Sequence, residues 1–216
     1  MINSLINDDT IRGWIFDLDG VITDTAEFHY QAWQKMADEE NLIFDKQINE
    51  KLRGVSRRAS LDIILNGKTL SEDKIQNILE AKNRYYCDLL RKLSEDDILP
   101  EIVPLLKKLQ SNGKKIAIAS ASRNTDYIID HLHIRKYFDG IASGGLVKRA
   151  KPAPDIFLHA AGQLGLAVDN CIVIEDAEAG VTGALKAGFR TIGIGPENRV
   201  GHANFRFDST DGLKIR

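Results

Sequence analysis

Apolar residues along the chain fall into short unbroken runs separated by longer amphipathic stretches. Residues 11–16, 115–119, 140–142, 171–174 and 190–194 have strand character, and each run gives way to small or acidic residues. Between the last four runs the spacing turns helical. Asn124 can cap a helix carrying Tyr127, Ile128, Ile129 and Leu132, and Pro154 can open one with Ile156, Phe157 and Ala160. Gly188 stops a third helix rich in Ala184, Leu185 and Ala187. Strand and helix in steady alternation predict a parallel sheet covered on both faces, because each crossover lays a helix on the sheet.

The first interval breaks this rhythm. Asp17 and Ser120 are roughly 100 residues apart, whereas one strand–helix–strand crossover is built from about 30. A structureless loop of that length does not occur inside a compact domain, so the surplus must fold. It reads as helical over 26–40, with Phe28, Ala32, Trp33, Met36 and Ala37 on one stripe, and again over 47–52, 56–65 and 72–93. Ser56 is placed to cap the third of these helices. The expected architecture is α/β: a Rossmann-like parallel-sheet core formed by residues 1–25 and 96–216, with an α-helical subdomain of residues 26–95 inserted after the first strand. Pro100 marks the return to the core.

Composition narrows the class. The chain has 216 residues, 43% hydrophobic and 28% charged, which excludes disorder and a disulfide scaffold and allows a substantial core. Its 29 basic and 31 acidic residues give a net charge of −2, so no long-range field gathers nucleic acid or an anionic membrane. Neither is an expected partner, and any phosphate must be held by a local cluster. Cys87 and Cys171 lie far apart with no nearby histidine, as reduced thiols do. The first nine residues have neither a basic n-region nor an apolar h-region, and no run approaches the ~18 apolar residues of a membrane span. A soluble cytoplasmic protein is expected.

Open parallel sheets bind ligands beyond the carboxyl ends of their strands. There the sequence places Asp17 and Asp19 after the first strand, Ser120, Ser122, Arg123 and Asn124 after the second, Lys151 before a later helix, and Glu175 and Asp176 after the fourth strand. Asp17 and Asp19, two apart, share a side of an extended strand, and together with Glu175 and Asp176 they would repel one another without a cation. A lone acidic pair at a strand end is usually a solvated turn, but four strand ends contributing together are not. Hard carboxylate oxygens with no histidine or cysteine select Mg2+. No GxxxxGK[ST] loop is present, and Gly193, Gly195 and Gly201 do not form GxGxxG, which disfavours the usual nucleotide-binding folds. The Ser122-Arg123-Asn124 turn at a helix start is the better phosphate cradle.

Asp17-Leu18-Asp19-Gly20-Val21-Ile22-Thr23-Asp24-Thr25, Ser120, Lys151 and Glu175-Asp176 resemble, in order, the four motifs of the haloacid dehalogenase superfamily, with the helical insertion at its first cap position. Thr25-Ala26-Glu27-Phe28-His29, Leu52-Arg53-Gly54-Val55-Ser56-Arg57, Ala119–Asn124 and Lys151–Phe157 are similar to the β-phosphoglucomutase family within it. Arg53 stands where a lysine is expected, and the likeness fades after Gly195 with the last core helix missing. The resemblance implies an aspartyl-phosphate on Asp17, with Asp19 as general acid and base, Ser120 and Lys151 offsetting charge on the transferring group, and Mg2+ held by Asp17, the Asp19 carbonyl, Glu175 and Asp176. It further implies a distal phosphate gripped by Gly54, Val55, Ser56 and Arg57 of the cap with Ser122, Arg123 and Asn124 of the core, and His29 and Lys82 linking sugar binding to cap closure. The implied reaction interconverts β-D-glucose 1-phosphate and glucose 6-phosphate through β-glucose 1,6-bisphosphate in a monomeric enzyme. A sugar-phosphate or other small-molecule phosphatase of the same fold is the alternative, and a non-catalytic phosphate-binding module the second. The pair Asp17 and Asp19 speaks against the module, which has no use for a nucleophile beside a proton donor.

Overall fold

The structure, a computed structural model, describes residues 1–215. Six parallel strands form one sheet: β1 (Gly13–Phe16), β2 (Lys115–Ala119), β3 (Gly140–Ala142), β4 (Cys171–Glu175), β5 (Arg190–Ile194) and β6 (Phe205–Phe207). Their spatial order is β3-β2-β1-β4-β5-β6. The order reverses beside β1, so the crevice where ligands collect in such sheets opens above β1 and β4.

Central strands buried on both faces explain the unbroken apolar runs. Alternation sends Trp14, Phe16, Ile116, Ile118, Ile172 and Ile174 to one face, where they pack with Leu105, Leu106 and Ile128. The other face carries Ile15, Ala117 and Val173 against Phe157, Ala160 and Ala184. Those covering residues lie on α6 (Ile102–Ser111), α7 (Thr125–His131), α8 (Asp155–Leu164) and α9 (Glu178–Lys186). The small residues Ala117 and Ala119 let α8 lie close to the sheet.

After β1 come α2 (Ala26–Glu39), α3 (Lys46–Glu50), α4 (Arg57–Leu65) and α5 (Glu72–Leu90). They bury a cluster of their own that includes Trp33, Met36, Leu61, Ile64, Ile75 and Ile78. Side-chain caps set their starts: Asp45 accepts from Ile48 N at 2.8 Å, and Ser56 and Ser71 accept from Ala59 N and Lys74 N, each at 3.3 Å. No helix among the described residues is long and apolar enough to cross a membrane.

The structure departs from the predicted elements at element ends, in short elements and in α6, a ten-residue helix not among the predicted ones; Glu175 closes β4 rather than following it. The first strand begins at Gly13 rather than residue 11, and α5 ends at Leu90 rather than residue 93. The edge strand β6 and the short helices α1 (Ile2–Ile6) and α10 (Glu197–Val200) carry too few residues to show a periodic signal.

Candidate functional site

A cleft of about 500 Å³ lies between the inserted helices and the carboxyl ends of the strands. At its floor, the Lys151 ammonium is buried between Asp17 Oδ1 and Glu175 Oε1, 2.5 Å from each, and donates also to the Ala119 carbonyl at 3.1 Å. Burial alone would draw its pKa down, but the two carboxylates outweigh that and hold the lysine above its ordinary value. Glu175 is locked from its other side, Oε2 accepting from Ala177 N at 2.8 Å.

Asp17, Glu175 and Asp176 each bring a carboxylate oxygen within 4.8 Å of the others, and all three are buried. Lys151, even with Arg53 reaching Asp176 at 3.3 Å, leaves the three carboxylates one positive charge short. Burial first and the neighbouring acids next push Asp17 well above the usual carboxylate range, and the same causes raise Asp176 to about 7. Three crowded oxygen donors with surplus negative charge fit a hard divalent cation. Two glycines make room for them. A Cβ on Gly180 would lie 1.8 Å from Glu175 Oε1, and one on Gly20, at φ +85°, 2.4 Å from Asp176 Oδ2.

Asp19 stands apart from this cluster. The strand ends at Phe16, so the two-residue spacing does not act through strand alternation; Asp17 and Asp19 reach the same cleft by way of the turn that follows. The Asp19 carboxylate accepts a short hydrogen bond from Thr25 Oγ1, which is itself 3.0 Å from the Tyr86 hydroxyl on α5. Burial raises the Asp19 pKa, and the Thr25 hydroxyl partly offsets this. Neither Thr25 nor Tyr86 stands out in the sequence as a site residue, since only the fold brings positions 19, 25 and 86 together.

The turn after β2 is tied together by its own hydroxyls. Ser122 N donates to Ser120 Oγ and Asn124 N to Ser122 Oγ, both at 3.1 Å, leaving the hydroxyl protons of Ser120 and Ser122 free to donate. Facing this turn, Gly54, Val55, Ser56 and Arg57 line the cleft at the start of α4, and Gly54 adopts φ +70° where its Cβ would meet Ala177 at 2.9 Å. Arg57 and Arg123 have no carboxylate partner among the described residues; burial and the neighbouring Arg123 hold the Arg57 guanidinium below its ordinary pKa. Asn124 is placed differently from the other sequence candidates, because both ends of its side-chain amide are occupied by α5.

Lys82 and His29 meet at 2.8 Å, Nζ to Nδ1, with His29 stacked on Tyr86. Burial and then the Arg57 charge draw the Lys82 pKa down to about 7, while burial, Lys82 and Arg57 hold His29 well below its usual value. Arg53 reaches from the inserted helices to the core, 3.3 Å from Asp176 Oδ2 and 3.1 Å from Glu50.

The haloacid dehalogenase-like hydrolase family model matches residues 11–188. The β-phosphoglucomutase of Bacillus subtilis is 43% identical over 190 residues, 86% of this chain and 84% of the relative. A fructose-1-phosphate phosphatase of Escherichia coli is 32% identical over 188 residues, 84% of this chain and 95% of the relative. Among solved structures, a β-phosphoglucomutase from Clostridium difficile superposes with a TM-score of 0.92 at 43% identity, covering 95% of this chain and 94% of that one. With ordered acids after β1 and β4, a lysine between them, and a family match running through most of its length, the chain belongs to the haloacid dehalogenase-like hydrolases.

Proposed function

We propose that the chain acts as a β-phosphoglucomutase, with residues 26–95 serving as a cap over a core of residues 1–25 and 96–216. The observation that carries this reading is one cleft holding two unlike anion-handling ends. Asp17, Asp19, Ser120 and Lys151 form one; Ser56, Arg57, Ser122 and Arg123, with cations that have no carboxylate partner, form the other. A substrate with two phosphates satisfies both at once.

In this reading Asp17 attacks phosphorus and forms an aspartyl-phosphate as the phosphorus–oxygen bond to the sugar breaks. Asp19, whose raised pKa suits a proton donor, protonates the departing oxygen and later takes the proton of the attacking hydroxyl. Thr25 holds its carboxylate in place. Lys151 and the Ser120 hydroxyl lie where charge builds on the transferring group. Asp17, the Asp19 carbonyl, Glu175 and Asp176 would hold Mg2+, which would supply further positive charge to the phosphoryl oxygens. The phosphoenzyme passes its group to the free hydroxyl of β-glucose 1-phosphate. The resulting β-glucose 1,6-bisphosphate turns round in the cleft, and the other phosphate returns to Asp17 to release glucose 6-phosphate. Arg57 and the Ser122–Arg123 turn grip whichever phosphate is not reacting, and Lys82 and His29 meet the sugar between.

A phosphatase would share every core residue and differ in admitting water to the aspartyl-phosphate. The deciding experiment is a time course with β-glucose 1-phosphate, catalytic bisphosphate and Mg2+, measuring glucose 6-phosphate against free phosphate. Glucose 6-phosphate in large excess is expected; mostly free phosphate would overturn the mutase reading.

A further inference from the structure

Asn124 is the N-cap residue of α7, yet its side chain makes no capping hydrogen bond. Asparagine at that position normally satisfies a free N–H of the helix start. Here it turns outward to α5 instead. Its amide nitrogen donates to Asn83 Oδ1 at 3.0 Å, and its oxygen accepts from the Cys87 thiol at 3.7 Å. Asn83 and Cys87 are four residues apart and therefore neighbours on one face of the helix. The contact also fixes the turn, since Asn124 N donates to Ser122 Oγ at 3.1 Å and Thr125 Oγ1 donates to the Ser122 carbonyl at 2.8 Å.

The need for such a contact is electrostatic. Arg57 of the inserted helices and Arg123 of the core repel one another across the same seam. Until an anion arrives they push the two sides apart, and a neutral amide pair is a closing contact that this repulsion does not weaken.

We infer that Asn83 is a positioning residue of the mutase reaction: through Asn124 it registers α5 over the Ser122–Asn124 turn, so that the two halves of the distal phosphate site meet. The inference rests on the mutase reading for its chemistry but on the hydrogen bonds for its geometry. An Asn83 that supports only the fold of α5 would leave the partition of the aspartyl-phosphate unchanged.

Cys87 provides a reporter of the seam. It is half-buried against Asn124, whereas Cys171 is buried at the start of β4, where burial pushes its thiol up to about 11. Alkylation by iodoacetamide at pH 8 should therefore read Cys87. Asn83→Leu removes the acceptor at similar volume, and Asn83→Asp keeps an acceptor oxygen in the same place. In the substrate-free protein, Asn83→Leu is expected to alkylate about fivefold faster than wild type, the population change that one neutral hydrogen bond is worth, with Asn83→Asp close to wild type. In turnover, the ratio of free phosphate to glucose 6-phosphate should rise by a similar factor in Asn83→Leu and be rescued in Asn83→Asp. Unchanged alkylation in Asn83→Leu, or faster alkylation with an unchanged product ratio, overturns the inference. A wild type that makes no glucose 6-phosphate defeats the mutase reading instead, and the alkylation rates then decide whether Asn83 holds the seam.

Discussion

Lys82 should make the protein less stable than its packing allows, by an amount that depends on pH. Its side chain is 2% exposed, and its ammonium sits 4.9 Å from the Trp33 ring and 4.6 Å from the Tyr86 ring. Burial, reinforced by Arg57, lowers its pKa from 10.5 to about 7. Between those values the unfolded chain carries a proton that the folded chain has released, so this group makes stability rise with pH; below 7 both states are protonated and the full cost is present. Two-state linkage puts the cost at about 4 kcal/mol at pH 7 and about 2 kcal/mol at pH 9. Lys82→Met removes it. The difference in packing between methionine and neutral lysine is the same at both pH values, so the advantage of the variant should shrink by about 2 kcal/mol from pH 7 to pH 9. Urea unfolding of both proteins in metal-free buffer at the two pH values measures this. An advantage that does not change with pH would refute the buried-charge reasoning, whichever protein is the more stable. The same substitution should abolish most sugar-phosphate turnover, since Lys82 lines the cleft.

Three further outcomes follow from the site. Gly180→Ala, a change that elsewhere in a helix would stabilise, should instead displace Glu175, whose oxygen lies 1.8 Å from the new Cβ, and weaken Mg2+ binding at least ~10-fold by calorimetric titration. Asp17→Asn should abolish covalent labelling by a phosphoryl donor, whereas Asp19→Asn should still bind Mg2+ and lose about 10²- to 10⁴-fold in rate; labelling of Asp17→Asn would remove it as the nucleophile. Arg57→Ala should cost about 1.5 to 3 kcal/mol in kcat/KM for the sugar phosphate and far less with acetyl phosphate, which has no distal group, so equal losses would return Arg57 to a structural role.

What could be read in the sequence, and what could not, follows the range of the interactions. The strand ends beside Asp17 and Ser120 were legible because a buried parallel strand reads as an unbroken apolar run that gives way to polar residues, whereas β4 keeps the buried Glu175 as its last residue. The Ser56 start of α4 was legible because a cap is a local bond. Thr25 and Tyr86 were not, since 61 residues separate the two hydroxyls that meet beside Asp19. Lys82, singled out above by the family resemblance, also carries a signal in the pattern itself. It falls with Ile75, Ile78, Tyr86 and Leu90 on the buried stripe of α5, where a lysine is out of pattern and marks a charge held for a purpose. Gly180 gave no comparable hint, because a glycine within an alanine-rich helix shows nothing of the carboxylate that presses against it.

The residues that the mutase reading adds to the core acids gather on one stretch of α5. Tyr86 reaches Asp19 through Thr25, Lys82 meets His29, and Asn83 accepts from Asn124 of the turn that holds Ser122. The groups that the mutase reading assigns to proton donation, sugar contact and distal phosphate binding are thus touched by residues within about one helical turn. On that reading the carboxylates of the core could form an aspartyl-phosphate without this turn of helix, but water would then compete for it with a sugar hydroxyl. On the mutase reading, a firmly seated α5 would hold the accepting hydroxyl against Asp19 and keep water out, so the inference about Asn83 predicts that loosening this helix shifts the reaction from isomerisation towards hydrolysis while leaving the acids beneath it unchanged.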